Sequence, residues 1–272
     1  MSSYETLIVE RRGHVGWLIF NRPESLNAHN LPMLEEIPRA WEELSADDDV
    51  RVIVNTGRGR GFSTGADVRE IAAAGGMGQR MAKLEKDHPG PRRGLGARAC
   101  DVWKPVITAV NGVCAGGGLH FVADADIVLA SSNATFVDTH VSVGQVAALE
   151  PIGLVGRLPF SAIMRMALVG RYERLSAQRA HELGMVDEVV DPPEQLDDVA
   201  QALAETIAKN SPSALMATKR AIWAALETGR TAALAEGMDY VKGFWGHPDN
   251  AEGPKAFSEK RDPDWAPPTR TF

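Results

Sequence analysis

The chain has 272 residues, 44% of them hydrophobic and 24% charged, with a formal net charge of −7. That is enough apolar material for one large domain, or one domain with an appendage. No stretch dominated by Lys and Arg suggests a nucleic-acid partner, no apolar run approaches the ~18 residues of a membrane span, and two cysteines alone, Cys100 and Cys114, fit a reducing compartment rather than a disulfide framework.

In chain order, residues 1–10 are polar and acidic, without the basic-then-apolar pattern of a signal peptide, so a soluble cytoplasmic protein is expected. Residues 6–10 and 15–20 are rich in β-branched and aromatic side chains and flank Arg11-Arg12-Gly13-His14, which predicts a hairpin. Residues 31–44 carry Leu34, Ile37, Trp41 and Leu44 at helical spacing, with Asn30 as cap and Pro32 in the first turn. Pro38 falls inside that pattern and predicts a kink or a break. Residues 52–55 read as a strand and 68–74 as a helix capped by Asp67. Residues 75–98, rich in Gly, Arg and Pro, read as a mobile loop or lid. Residues 105–110 and 127–130 read as strands with a short helix, 119–123, between them. Past Leu175, a strand at 186–190 is followed by helices at about 196–207, from Ser211 to Gly229, and at about 232–244. The pattern predicts an α/β core over residues 1–194 and a helical C-terminal module over 195–272, whose amphipathic, aromatic character suits packing on another subunit.

The chemistry is carried by two glycine-rich turns. Gly61-Phe62-Ser63-Thr64-Gly65-Ala66-Asp67 closes one strand, and Asn111-Gly112-Val113-Cys114-Ala115-Gly116-Gly117-Gly118 closes another. Each runs into a helix, whose first N–H groups have no internal partner and lie at the positive end of the dipole. Two such donors aimed at one carbonyl oxygen form an oxyanion hole, which points to an enzyme acting on an acyl group. The plainer alternative is that Gly116–Gly118 only permits close packing.

These residues resemble the enoyl-CoA hydratase/isomerase (crotonase) family. The resemblance runs through Asn21-Arg22-Pro23 with Leu26-Asn27-Ala28, Gly57-Arg58-Gly59, both glycine turns, Asp126-Ile127-Val128-Leu129-Ala130, Leu175-Ser176-Ala177, Gly184-Met185-Val186-Asp187-Glu188-Val189-Val190, and Glu252-Gly253 with Ala256-Phe257-Ser258-Glu259-Lys260-Arg261. It implies a spiral of β-β-α units with a C-terminal helical trimerisation module, and a homotrimer or dimer of trimers. It also implies that Ala66 N–H and Gly117 N–H bind the thioester oxygen of an acyl-CoA. By the same resemblance, backbone around Leu26–Ala28 and Thr64 holds pantetheine and adenine, Arg69 lies near the CoA phosphates, and Asp67 is counted among the CoA-binding residues. Phe257 and Lys260 reach the nucleotide from a neighbouring subunit. Coenzyme A enters as part of the substrate, and no other cofactor is implied.

The departures are as informative. In hydratases of the family two glutamates activate water; the matching positions are His120, separated from the triple glycine by one residue, and His140, four residues before Gly144. Neutral imidazole offers one donor and one acceptor where a carboxylate offers only acceptors, so the two-carboxylate mechanism cannot run unchanged. Histidine still serves as a general base, particularly when a carboxylate orients its other nitrogen. Glu150, in a segment over 145–154 longer than usual for the family, is the candidate orienter, and Asp138 is another. Glu150 equally suits a solvated loop, and Asp67 suits a helix cap better than a catalyst. His14, His29, His88, His181 and His247 read as ordinary core or surface residues, His29 slightly less so because it follows the pantetheine segment. Cys114 lacks a nearby partner cysteine, so no zinc or other metal site is expected.

Three functions follow. The first is an acyl-CoA hydratase, isomerase or lyase that stabilises a thioester enolate, with His120 and His140 handling protons or water. The second is a thioester or β-diketone hydrolase using His140 with Glu150. The third is a scaffold or RNA-binding protein without catalysis, against which the absent basic face argues. Residues 75–98 and 145–154 are the expected determinants of acyl selectivity.

Overall fold

The computed structural model describes residues 3–87 and 94–269. In chain order, strands β1 (Leu7–Arg12) and β2 (Val15–Phe20) precede helix α1 (Leu31–Ala46); β3 (Val52–Gly57) and β4 (Gly61–Ser63) precede α2 (Val68–Ala74) and α3 (Met77–Asp87). Next come β5 (Val106–Val110), β6 (Val113–Ala115), α4 (Leu119–Ala123), β7 (Ile127–Ser131), β8 (Thr135–Val137), α5 (Leu149–Gly153) and α6 (Phe160–Val169). The remainder is β9 (Leu175–Ser176), α7 (Ala177–Glu182), β10 (Glu188–Val190), α8 (Leu196–Ala208), α9 (Pro212–Ala224), α10 (Arg230–Phe244) and α11 (Asp249–Glu259).

Two sheets organise these elements. The larger has the order β1-β2-β3-β5-β7-β10 and is parallel except for the β1–β2 hairpin. The smaller has the order β4-β6-β8-β9, with β8–β9 antiparallel. The pairs β3–β4, β5–β6 and β7–β8 each place a long strand in the first sheet and a short one in the second before a helix follows. That is the β-β-α spiral the resemblance implies. Both faces of the large sheet are covered, as parallel strands require. One face carries Leu18, Phe20, Ile53 and Val128 against Met33, Ile37 and Trp41 of α1. The other carries Trp17, Val54, Ile107 and Leu129 against Leu196, Ala200, Ala204 and Ala208 of α8. Among the described residues no helix is long and apolar enough to cross a membrane.

One expectation is narrowed and another corrected. Pro38 does not break α1, which runs unbroken from Leu31 to Ala46. Asn30 caps it through a 3.0 Å bond from Met33 N–H, and burial of Ile37, Ala40, Trp41 and Leu44 holds the turns on either side of the proline. The segment 75–98 is not a loop throughout, because residues 77–87 form α3. Gly75 and Gly76, with φ of 86° and 129°, turn the chain out of α2, and Arg80 and Leu84 form the buried side of the new helix. The rest of that segment through residue 93, including His88, lies outside the described residues.

Candidate functional site

β4 and β6 are parallel neighbours, so the chain leaves both at the same end and the two glycine turns meet there. Gly65 has φ 76°, and a methyl group on it would fall 2.6 Å from Gly117 N and 3.0 Å from Ala115 O. Only glycine allows this approach. The first turn is held in register by a parallel bridge to the segment after Ala28. His29 N–H donates to Gly65 O at 2.7 Å, and Asp67 N–H donates to His29 O at 3.1 Å. Gly65 N–H is taken by Ser63 Oγ at 3.2 Å. The amides on either side of Ala66 are therefore engaged. Among the described hydrogen bonds neither Ala66 N–H nor Gly117 N–H donates, and both residues are half-buried beside buried Gly65, Gly116 and Gly118.

His120, His140 and Glu150 come together beside these turns. His120 lies in α4, which starts directly after Gly118; His140 follows β8; Glu150 sits in the first turn of α5. A Cβ on Gly116 would lie 3.5 Å from His140 Cε1, so the imidazole stands over the glycine turn. One oxygen, Glu150 Oε1, is 3.1 Å from His120 Nε2 and 3.7 Å from His140 Nε2. Glu150 is buried, which decides its position against a solvated loop. On the far side of the ring, Asp138 Oδ1 is 2.7 Å from His140 Nδ1 and accepts His140 N–H at 3.0 Å. The sequence offered Glu150 and Asp138 as alternative partners for His140; the fold supplies both, one at each ring nitrogen.

The electrostatics follow from this order. Hydrogen bonding to Asp138 raises the His140 pKa above its ordinary value; burial opposes this, and the Glu150 charge reinforces it. Burial pushes the Glu150 carboxyl up, but the His120 hydrogen bond and the charges of both imidazoles outweigh it and hold it below the usual glutamate range. Each shift favours the charged form of its own group, the carboxylate of Glu150 and the imidazolium of His140.

His29 belongs to the same neighbourhood. A Cβ on Gly117 would lie 3.5 Å from its Nδ1, and its Nε2 is 2.8 Å from Ser63 Oγ. The Ser63 hydroxyl has one proton, which it gives to Asn27 O at 3.0 Å. It therefore accepts from His29, which must carry its proton on Nε2 and is left with a bare Nδ1. Burial among Phe20 and Phe121, with His120, Arg80 and Arg22 nearby, lowers the His29 pKa to about 3.

The remaining named residues lie around the first turn or on the last helix. Leu26 and Asn27 have φ of 52° and 55°, and Thr64 N–H donates to Leu26 O at 3.2 Å. Ala28 O accepts from Arg22 Nη1. Asp67 caps α2 through a 3.0 Å bond from Arg69 N–H and pairs with Arg22 Nη1 at 3.2 Å; Arg69 is exposed. Phe257 is 87% exposed, Lys260 caps α11, and no described hydrogen bond joins either to the glycine turns. Arg80, within the segment read as a loop, was missed. Its guanidinium is buried, donates to His29 O at 2.5 Å and pairs with Glu70 Oε2 at 3.1 Å. The one available signal was the i,i+4 pair Arg80 and Leu84, masked because an arginine holds the buried position.

A family model for enoyl-CoA hydratase/isomerase matches residues 10–268. The chain belongs to the enoyl-CoA hydratase/isomerase family. It is 34% identical to the (E)-benzylidenesuccinyl-CoA hydratase of Thauera aromatica over 94% of this chain and 96% of that protein. It is 35% identical to the 1,2-epoxyphenylacetyl-CoA isomerase of Escherichia coli over 91% and 93%. Among solved structures, an enoyl-CoA hydratase/isomerase from Mycobacterium paratuberculosis superposes with a TM-score of 0.87 at 38% identity, covering 97% of this chain and 99% of that one. With relatives named as hydratases and isomerases, this member of the family is an acyl-CoA enzyme.

Proposed function

We propose that this protein is a specialised acyl-CoA hydratase, isomerase or lyase in which Glu150 and His140 replace the usual pair of glutamates. The thioester oxygen lies against Ala66 N–H and Gly117 N–H, which stabilise the enolate as its charge develops; one such donor is worth ~10²–10³ in rate. The ionised Glu150 takes a proton from water or from carbon. The imidazolium of His140 returns one through Nε2, and His120 holds Glu150 by donating from its own Nε2. Backbone at Leu26, Ala28 and Thr64, with Asp67 and Arg69, holds the CoA arm, and Phe257 and Lys260 contact the nucleotide from a neighbouring subunit. The observation that carries this reading is the single oxygen of Glu150 at 3.1 and 3.7 Å from the two imidazoles.

A second reading has a specific observation in its favour. Asp138 backs His140 from the side opposite Glu150, an arrangement that suits a neutral His140 drawing a proton from water to hydrolyse a thioester or β-diketone. Products separate the two. Mass spectrometry after incubation with acyl-CoA thioesters and β-diketones is expected to show hydrated or isomerised acyl-CoA; free CoA or a cleaved diketone makes hydrolysis the better account. Glu150→Gln should lower kcat by ~10²–10⁴, the usual worth of a general acid or base, with KM within a few-fold. Wild-type turnover by that variant would remove Glu150 from the mechanism.

A further inference from the structure

We infer that Asp138 is a positioning residue that fixes the tautomer and orientation of His140, making Nε2 the nitrogen that meets substrate. This rests on the reading of His140 as a catalytic group, but the argument comes from the hydrogen bonding of Asp138 alone.

The Asp138 side chain is fully buried. Its Oδ1 accepts the His140 backbone N–H at 3.0 Å and lies 2.7 Å from His140 Nδ1. Its Oδ2 has no hydrogen-bond partner among the described residues. One of the two groups in the 2.7 Å contact must supply the proton. Were the carboxyl to supply it from Oδ1, that oxygen would donate to Nδ1 while still accepting the backbone N–H, and a buried carboxyl would face an imidazole bare at Nδ1. Were the carboxyl proton on Oδ2, it would have no acceptor. Donation from Nδ1–H to Oδ1 satisfies every atom except Oδ2 and gives a buried carboxylate a second N–H donor beside the His140 backbone N–H. The contact is local, joining residues two apart in the short segment after β8.

The consequence concerns the other nitrogen. With Nδ1–H committed to Asp138, Nε2 alone exchanges protons with substrate, on the side where Glu150 Oε1 stands 3.7 Å away. In the imidazolium, Nε2–H passes its proton to the acceptor atom, the N–H bonding pair stays on Nε2 as a lone pair, and Nδ1–H does not move. Titratable groups face His140 from three elements: Asp138 from its own segment, Glu150 from α5, and His120 from α4 through Glu150. Asp138 and Glu150 both favour the charged ring, so loss of either carboxylate lowers the His140 pKa.

The test is Asp138→Asn, which keeps the shape and removes the charge, compared with wild type and with His140→Gln used to assign the signals. Ring ¹⁵N spectra of the intact protein are expected to show His140 carrying its proton on Nδ1 in wild type, and a mixture including the Nε2–H form in Asp138→Asn. In kinetics on whichever thioester or diketone turns over, kcat should fall at least ~10²-fold, given that the equivalent change in a Ser-His-Asp triad loses ~10⁴. KM should hold within about three-fold, and the limb of the pH profile governed by His140 should move toward acid. A merely structural carboxylate would lower the folded fraction without moving that limb. A wild-type ring with its proton on Nε2, or an Asp138→Asn pH profile that superposes on wild type, overturns the inference. The spectra need no substrate, so a panel of inert thioesters would overturn the functional reading while the spectra still decide this one.

Discussion

At the residue scale the site is a set of side chains whose protonation is decided by their neighbours, and His29 shows this most sharply. Its Nε2–H is committed to Ser63 and its surroundings are apolar and partly cationic, so the folded state binds a proton only below a pKa of about 3. The unfolded chain binds one below ~6.5. Between those values the unfolded state holds more protons, so stability falls as pH falls through that window. The loss from this residue between about pH 7 and about pH 5 is of order 2 kcal/mol. His140 has the opposite sign: its raised pKa contributes stability that is present below ~6.5 and lost as pH rises through the folded value. His29→Gln retains an N–H for Ser63 and removes the titration. Urea unfolding at the two pH values should show the wild type losing about 2 kcal/mol more than the variant. Parallel losses would mean that His29 does not govern the acid limb.

At the element scale, the parts that could be read in the sequence are those that depend on backbone requirements or apolar spacing. Gly65 and Gly116 announce a turn because glycine takes their φ of 76° and 47° without strain, and at Gly65 glycine alone fits the contact with Gly117. Leu196, Ala200, Ala204 and Ile207 announce α8 by period alone. Glu150 could not be placed, because its partners come from α4 and from the end of β8, and only tertiary packing brings α5 to them. The helix α11 was hidden by Gly253 and Pro254 within it, and α3 by Arg80 at its buried position. That arginine makes α3 more than a cover. It donates to His29 O, the same carbonyl that accepts Asp67 N–H and so fixes the peptide at Ala66. Arg80→Met should take one donor from that carbonyl and the cation from Glu70, destabilising the protein by about 1–3 kcal/mol, because Glu70 is partly exposed and water can take up its charge. It should also speed hydrogen exchange across α3 and, with Ala66 N–H as the proposed oxyanion donor, lower kcat more than it raises KM, because that donor loses register rather than the CoA arm its contacts. Unchanged exchange in α3 would show that the helix is held by Leu84 alone.

At the scale of the whole molecule, the C-terminal helices are anchored at one end and bare at the other. Lys219 and Trp223 on α9 both bond the Asp126 carboxylate, at 2.7 Å each, and Lys219 also reaches Lys104 O at 2.9 Å. α10, in contrast, has no buried residue. It exposes Leu234, Met238, Val241 and Trp245 at helical spacing, beside a groove of about 390 Å³ between α9 and α10. Val146, Leu149, Ile152 and Phe160 expose a second apolar surface around α5 and α6, close in sequence to Glu150. A monomer in water rarely leaves such patches uncovered, and the groove lies apart from the glycine turns, so its lining does not serve the acyl group. The chain is expected to assemble as a homotrimer or dimer of trimers through these faces, which would also bring Phe257 and Lys260 toward another subunit's substrate. Light scattering should then give three or six times the 29.3 kDa of one chain. Val241→Glu with Trp245→Glu places charge on the exposed stripe, so it should yield smaller species without unfolding the sheet, because neither side chain is part of the core. If assembly completes the nucleotide site, the dissociated variant should raise KM for the acyl-CoA while thioester protons still exchange at the Glu150–His140 pair. A wild-type mass of one chain, or a dissociated variant with unchanged KM, would confine the whole site to a single subunit.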